Sequence, residues 1–427
     1  MKKQILTASA MIVACLTYGA GFQTLEQGAS NLGTANAGAT VNANADASAA
    51  FWNPSAGFNA GLKVGETKVD AAFSLVVSAF DFVQSGTGIQ SGDAGCECVV
   101  PNFYVLHRLS EDFMLSLSVS PTYGLETDYD YGWIGSTHAL NSEITTIDIN
   151  PSVAYKVNDW LTISGGVSAQ WMHGNLSQAL TLGQLGQMVD PKVPVPPAYA
   201  NMLGGESRVS GSAWGVGGNI GFTINYAEDG RIGFQWRSAV TQSLEGNLHV
   251  NSKVANPVEL ELTLPHTFTV GWYQRLRGDL KKFAVMADYS YTMWSSFDEL
   301  DIKNGNTGQT QSYTHEAWRD VSRVAFGIHF FPFEHENTVL RLGSAWDQTP
   351  ISNSGHRYAR IPCTDRIWFS GGIGQKIGNV NIDFGYTFIY FYKDPKMQGE
   401  ATHGGGALTG HFEGEAHVVS VQFGYKF

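Results

Sequence analysis

The stretch TIDINPSVAYKV (146–157) decides the fold class. Ile147, Ile149, Val153, Tyr155 and Val157 share one parity, while Thr146, Asp148, Asn150, Ser152 and Lys156 share the other. Side chains of an extended chain point alternately to opposite faces, so this segment is a strand with one apolar and one polar face. The pattern recurs at once: Leu161, Ile163, Val167 and Trp171 alternate with Thr162, Ser164, Ser168 and Gln170. Phe113, Leu115, Leu117 and Val119 alternate with Ser116, Ser118 and Ser120, and Ile232, Phe234 and Trp236 with Arg231, Gln235 and Arg237. Runs of about ten residues or more suit a wall between lipid and a wetter lumen. Strands of a soluble sandwich are nearer five or six residues.

The connections between these runs carry the topology. Short turns are expected near Ser110-Glu111, Asn158-Asp159, Glu228-Asp229-Gly230, Arg277-Gly278, Phe333-Glu334 and Ile377-Gly378. Long polar segments lie near 84–97, 124–142, 177–207, 241–263, 299–317, 349–364 and 393–413. Short and long alternate strictly, and six turns plus seven loops make thirteen connections, hence fourteen antiparallel strands. An even number returns both ends of the wall to one side of the membrane, with short turns in the periplasm and long loops outside. The chain ends on the same alternation: Val419, Val421, Phe423, Tyr425 and Phe427 against Ser420, Gln422, Gly424 and Lys426. A terminal aromatic in that setting resembles the signal read by outer-membrane assembly machinery. Closure into a barrel follows from the solvent, because an open strand edge in hydrocarbon would leave backbone groups unpaired.

Composition narrows the function. Charged residues make up 15% of the 427 residues and aromatics 12%, with 49 glycines. The net charge of −12 comes from 38 acidic against 26 basic residues, with no basic stripe, which argues against a nucleic-acid partner. Cys96 and Cys98 are two apart and Cys363 is remote, a spacing that fits neither a disulfide framework nor a zinc ribbon. No Gly-x-Ser-x-Gly, His-Glu-x-x-His or phosphate-loop motif occurs, and His335 stands between Glu334 and Glu336 in a turn. No enzyme, metal or cofactor is therefore expected. An outer-membrane lipase or acyltransferase would need a Ser/His/acid cluster on the barrel.

The first 20 residues, MKKQILTASAMIVACLTYGA, carry Lys2 and Lys3, an apolar stretch from Ile5 to Leu16 and then small residues, the order of a secretory signal peptide. A lipoprotein cysteine at Cys15 is the weaker reading, since Ile12-Val13-Ala14 is a poor lipobox, and the run is short for a spanning helix. Residues 21–60 break the alternation. They are rich in Ala, Asn and Gly, yet Phe22, Leu25, Leu32, Val41, Phe51 and Trp52 supply anchors that a free tail does not need. A plug inside the barrel, which at fourteen strands would otherwise leak, uses both the small residues and the anchors. The expected division is thus 1–20 signal peptide, 21–60 plug and 61–427 barrel.

Several segments together resemble the FadL family of outer-membrane transporters for long-chain fatty acids and other hydrophobic compounds. GFQTLEQGASNLGTANAG (21–38) is similar to the family's opening segment, and Asn53-Pro54-Ser55 stands at its Asn-Pro-Ala motif. PTYGLETDYDYGW (121–133), DINPSVAYKVNDWLTISGGV (148–167), LPHTFTVGWY (264–273), MWSSFDEL (293–300), HEAWRDVSRVAFGIHF (315–330), LRLGSAWDQTPI (340–351) and RIPCTDRIWFSGGIGQKI (360–377) follow in the family's order. The resemblance implies a monomeric fourteen-stranded barrel in the outer membrane of a Gram-negative bacterium, amid phospholipid and lipopolysaccharide, closed by an N-terminal hatch. It also implies capture of a hydrophobic ligand by outer loops, release through hatch rearrangement and sideways exit at a kinked third strand.

Carried onto this sequence, the resemblance makes Phe51, Trp52, Asn53, Pro54 and Ser55 the gating part of the hatch; the plain alternative is an ordinary turn. Pro121, Thr122, Tyr123 and Gly124 interrupt the third strand, where proline and glycine mark a bend, and correspond to the lateral opening unless the strand simply ends there. Leu180, Leu182, Leu185, Met188, Tyr199, Met202 and Leu203 make the segment 178–207 unusually apolar for a loop, either for ligand capture or to shield the mouth. The positions at which the family carries lumen basic residues fall near Gln178 and Thr314, neither of them basic. Arg319 and Arg323 are the nearby substitutes for holding a carboxylate, or else serve the electrostatics of the wall. Neutral aromatic or aliphatic hydrocarbons, and a general porin or structural barrel, remain alternatives to fatty acids.

Overall fold

In the computed structural model, which describes residues 21–189, 196, 199–200, 202–393, 395–399 and 407–427, the alternating stretches pair into one closed ring of fourteen antiparallel strands. These are β1 (Thr67–Gln84), β2 (Glu97–Arg108), β3 (Phe113–Ser120), β4 (Asn141–Lys156), β5 (Leu161–Thr181), β6 (Leu203–Ala227) and β7 (Gly230–Arg237). The second half comprises β8 (Thr267–Arg275), β9 (Phe283–Thr292), β10 (Val321–Phe330), β11 (Thr338–Asp347), β12 (Arg366–Ile377), β13 (Val380–Phe391) and β14 (Thr409–Lys426). Each pairs with its sequence neighbour. The ring closes where β1 meets β14, from Lys68 opposite Lys426 to Gln84 opposite Gly410. The residues expected to form the signal peptide lie outside those described, as do Val193 and Val195 of the long apolar loop.

The parity expected from 146–157 is the parity observed. Ile149, Val153 and Tyr155 face outward, while Asp148 and Asn150 are buried toward the lumen. On β14, Val419, Val421, Phe423 and Tyr425 face out and Ser420 and Gln422 face in. The outer surface is therefore an apolar band, and the polar atoms are gathered inside.

Two of the expected long loops are regular structure instead. Val240–Val250 and Lys253–Leu264 form a hairpin that pairs back onto β6, from Glu245 opposite Ser212 to Val250 opposite Ser207. Glu299–Asn304 and Thr310–His315 form a second hairpin. The apolar segment 178–207 is likewise less of a loop than expected. Gln178 pairs with Ser207, the ladder continues to Thr181 opposite Leu203, and Leu182–Val189 is a short helix. The reason is length. β6 has 25 residues, and a membrane strand needs about 9–11, so the surplus stands above the bilayer and offers an edge to further strands.

Residues 21–60 are folded inside the ring as short helical turns, Ala29–Leu32, Ala39–Val41, Ala49–Trp52 and Pro54–Ala60. Nearly all of them are buried. Wall glycines permit the approach. A Cβ on Gly343 would sit 2.2 Å from the Thr34 backbone, and one on Gly385 would sit 2.5 Å from the Ala29 carbonyl. Polar contacts fix the segment: Asp288 accepts from Thr40 N (3.1 Å) and Oγ1 (2.6 Å), Lys68 Nζ donates to Ala45 O (2.7 Å), and Arg341 Nε to Asn44 Oδ1 (2.8 Å). A Gly343→Ala variant should loosen the segment, because overpacking costs about 1–3 kcal/mol. In planar bilayers it should conduct ions more often than the parent; unchanged conductance with unchanged thermal stability would contradict this account.

Candidate functional site

The extended β5 and β6 and the first hairpin wall in an apolar cavity at the outer end of the barrel. Met172 and Leu176 of β5, Val209 of β6, Leu244 and Leu262 of the hairpin, and Leu125, Ile144, Phe297 and Ile361 line it. Its free volume is about 60 Å³, room for a few water molecules. Longer ligands must displace side chains to enter. Among the described residues that line the cavity, Glu316 supplies the one carboxyl and Arg360 the one guanidinium. Arg360 donates to Ser142 Oγ (3.1 Å), Ser177 O (3.1 Å) and Gln178 Oε1 (3.0 Å), all neutral acceptors. Glu316 accepts from Trp318 Nε1 at 3.1 Å. Burial pushes its carboxyl up to about 8, against the opposing pull of the Trp318 N–H and the Arg360 charge. Burial also lowers Arg360 to about 10, still above neutral pH. At pH 7 the cavity therefore holds a net positive charge.

The wall is incomplete beside β3. The ladder between β2 and β3 runs only from Phe103 opposite Val119 to Arg108 opposite Met114. After Ser120 the chain breaks, and Gly124–Asp128 resumes pairing with β4 alone. Among the described residues, Glu97–Asn102 of β2 has no ladder partner on that side; Pro101, which lacks an N–H, sits in this stretch. The N-terminal segment crosses the gap from inside. Thr24 N donates to Thr122 O and Gly124 N to Phe22 O, each at 2.9 Å, making Gln23 and Tyr123 a bridged pair. Gln27 ties both lips: its Nε2 donates to Pro121 O (2.8 Å), and its Oε1 accepts from Tyr104 Oη of β2 (2.7 Å). Phe22 lies in an aromatic cage, with ring centroids 4.8 Å from Trp294, 5.4 Å from Phe297, 5.7 Å from Trp318 and 5.9 Å from Tyr123. Phe22 thus packs between Phe297, which lines the outer cavity, and Tyr123, which lines small voids deeper in the barrel. Those voids are lined by Gln23, Leu25, Trp52 and Tyr123.

The residues singled out in the sequence fall in three places. Phe51, Trp52, Asn53, Pro54 and Ser55 lie deep against β6 and β7. Phe51 O accepts from Gln235 Nε2 (2.8 Å) and Arg237 (3.0 Å), Asn53 Nδ2 donates to Thr40 O (2.9 Å), and Pro54 opens a 3₁₀ turn. The Ser55 hydroxyl meets Thr223 Oγ1 at 2.7 Å. Pro121, Thr122, Tyr123 and Gly124 form one lip of the gap. The third set does not gather. Leu180 is buried at the end of β5, Tyr199, Met202 and Leu203 are exposed, Leu182 and Leu185 pack on Gly204, and the Met188 side chain lies outside the described residues. None of the described ones lines the cavity. Arg319 bonds to Thr349 O at 3.3 Å, and Arg323 is buried against Ala35 O (2.9 Å) and the Trp368 ring (4.9 Å). The cation in the cavity is Arg360, which sequence reasoning passed over. It comes from a different loop to stand beside Gln178, one of the two positions noted as lacking a base. Its only signal was its place at the head of the segment 360–377.

The family profile described as outer membrane protein transport protein (OMPP1/FadL/TodX) matches residues 10–427. The chain belongs to this OMPP1/FadL/TodX family. Like other OMPP1/FadL/TodX proteins it is an outer-membrane β-barrel of a Gram-negative bacterium. It is 26% identical to the long-chain fatty acid transport protein of Escherichia coli O6:H1, over 100% of this chain and 98% of the relative. It is 27% identical to outer membrane protein P1 of Haemophilus influenzae, over the whole of both chains. The fold matches a solved Pseudomonas aeruginosa FadL homologue with TM-score 0.81 and 23% identity, over 95% of this chain and 99% of that one. It also matches the Ralstonia pickettii toluene transporter TbuX with TM-score 0.66 and 19% identity, over 94% and 98%.

Proposed function

We propose that this barrel takes up hydrophobic compounds, long-chain fatty acids foremost, across the outer membrane by diffusion. The observation that carries the reading is an apolar cavity lined by a cationic Arg360 and by a Glu316 that is neutral at pH 7. Burying an acyl chain there contributes about 0.8 kcal/mol per CH₂, and Arg360 compensates the carboxylate, whose unpaired burial would be costly. In this scheme ligand captured among the outer loops displaces Phe22 from its cage. Movement of the N-terminal hatch then frees Gln27 and the backbone bridge from Pro121, Thr122, Tyr123 and Gly124. The chain leaves sideways through the gap beside β3, so its tail is not returned to water. Phe51, Trp52, Asn53, Pro54 and Ser55 form the hinge that stays on the wall while the preceding residues move. The exposed Tyr199, Met202 and Leu203 make first contact with ligand arriving through lipopolysaccharide. We further assign monomeric action, and recognition of the Phe427 end by the assembly machinery.

A second reading, uptake of neutral hydrocarbons, is favoured by the small size of the cavity and its almost wholly aliphatic lining. Native mass spectrometry of detergent-purified protein, followed by competition with oleate and toluene, tests both. A bound acyl chain displaced by oleate supports the first, and preference for toluene the second. Binding of neither, together with high ion conductance, would overturn the proposal and leave a porin.

A further inference from the structure

The opposite end of the barrel, where the short periplasmic turns lie, holds a different kind of recess. Turns 228–229, 276–282 and 331–337 surround a volume of about 880 Å³ lined by five cations and four carboxylates, in a chain whose overall charge is −12. Two of the cations are neutralised, Arg275 by Glu336 at 2.7 Å and Arg277 by Asp229 at 3.1 Å. Arg231 is not. It stands at the start of β7 with its guanidinium 4.4 Å from the centre of the Tyr273 ring. Among the described residues its side chain has no hydrogen bond and no ion pair, and its Nε is buried without a partner. The remaining carboxylates, Glu228 and Glu334, are exposed at the rim.

A guanidinium is permanently charged and carries five donors in a planar fork. Among the described residues the Arg231 Nε is withdrawn from water without an acceptor, which is costly. The half-buried side chain lines the recess, where an incoming acceptor can reach the rest of the fork. We infer that this recess binds an oxyanion group, a carboxylate or a phosphate, with Arg231 as its anchor. The planar fork suits two oxygens of one such group. Tyr273 beside Arg231, and Phe331 under Arg275 at 3.9 Å, give an apolar flank for the body of a small molecule. The site lies at the end of the barrel away from the outer cavity and does not depend on what that cavity carries.

The test is isothermal titration of the full-length protein in zwitterionic detergent with inorganic phosphate and, separately, with propionate, whose tail is too short to fill an acyl site. Saturable binding of at least one is expected, and Arg231→Gln should weaken it about tenfold or more, while Arg360→Gln leaves it unchanged. Heat-modifiable migration on gels shows that each variant is folded. If Arg231→Gln does not fold, Arg231→Lys serves, since one ammonium replaces the fork and a smaller loss is expected. Phosphate-only or propionate-only binding names the source of the oxyanion. Binding of neither, or equal binding by a folded Arg231 variant, overturns the inference.

Discussion

Oxidising a Gln23→Cys/Tyr123→Cys double variant should stop uptake of a labelled fatty acid, and reductant should restore it. The two residues form an antiparallel bridge of the type flanked by, not sharing, hydrogen bonds, for which Cα atoms lie about 4.5 Å apart. That is within the range of about 4.4–6.8 Å that a disulfide spans. The covalent bond would hold the N-terminal segment across the gap beside β3, so the hatch could neither free the Phe22 cage nor uncover the wall opening. Uptake by cells carrying the oxidised variant should fall at least about tenfold, a floor of about 1.4 kcal/mol in the opening equilibrium. The single variants under the same conditions control for Cys96, Cys98 and Cys363. Undiminished uptake by a fully oxidised double variant would mean that ligand takes another way out.

Replacing Arg360 with Gln should separate the two ligand classes. A hydrogen bond to a charged group contributes about 1.5–3 kcal/mol, so oleate binding should weaken about 10- to 100-fold while toluene binding changes little. Equal losses for both would show that Arg360 serves only to join the strands carrying Ser142, Ser177 and Gln178. A pH series adds an independent readout. The Glu316 carboxyl is raised to about 8, so it is neutral at pH 7 and acquires a negative charge as pH rises through that value. Oleate affinity should then fall between about pH 7 and 9, because the new charge competes for Arg360 and repels the ligand. Glu316→Gln, which cannot ionise, should flatten that slope. Toluene affinity should show no such slope in either protein.

The parity of residues 146–157, the alternation of short with long connections and the anchors Phe22, Phe51 and Trp52 were enough to obtain the barrel, its strand number and a segment folded within it. These are legible because each depends on local periodicity or on a solvent that forbids open edges. The interruption at Pro121 and Gly124 was legible for the same reason: proline and glycine break a strand wherever it goes. By contrast, the described members of the apolar set from Leu180 to Leu203 stand apart from the cavity lining. Their composition could not reveal that β5 and β6 continue far above the membrane and carry a hairpin, so that Leu244 and Leu262 line the cavity instead.

Local sequence thus determined what the wall is made of, because the side-chain period of two and the lipid around it act residue by residue. Only the tertiary structure decided what stands inside it. Arg360 meets Gln178 across 182 positions of chain, Gln27 meets Tyr104 across 77, and among the described residues the Arg231 Nε is left without an acceptor. Such pairings depend on strand register and on how loops fold over the mouth, which no short window of sequence contains.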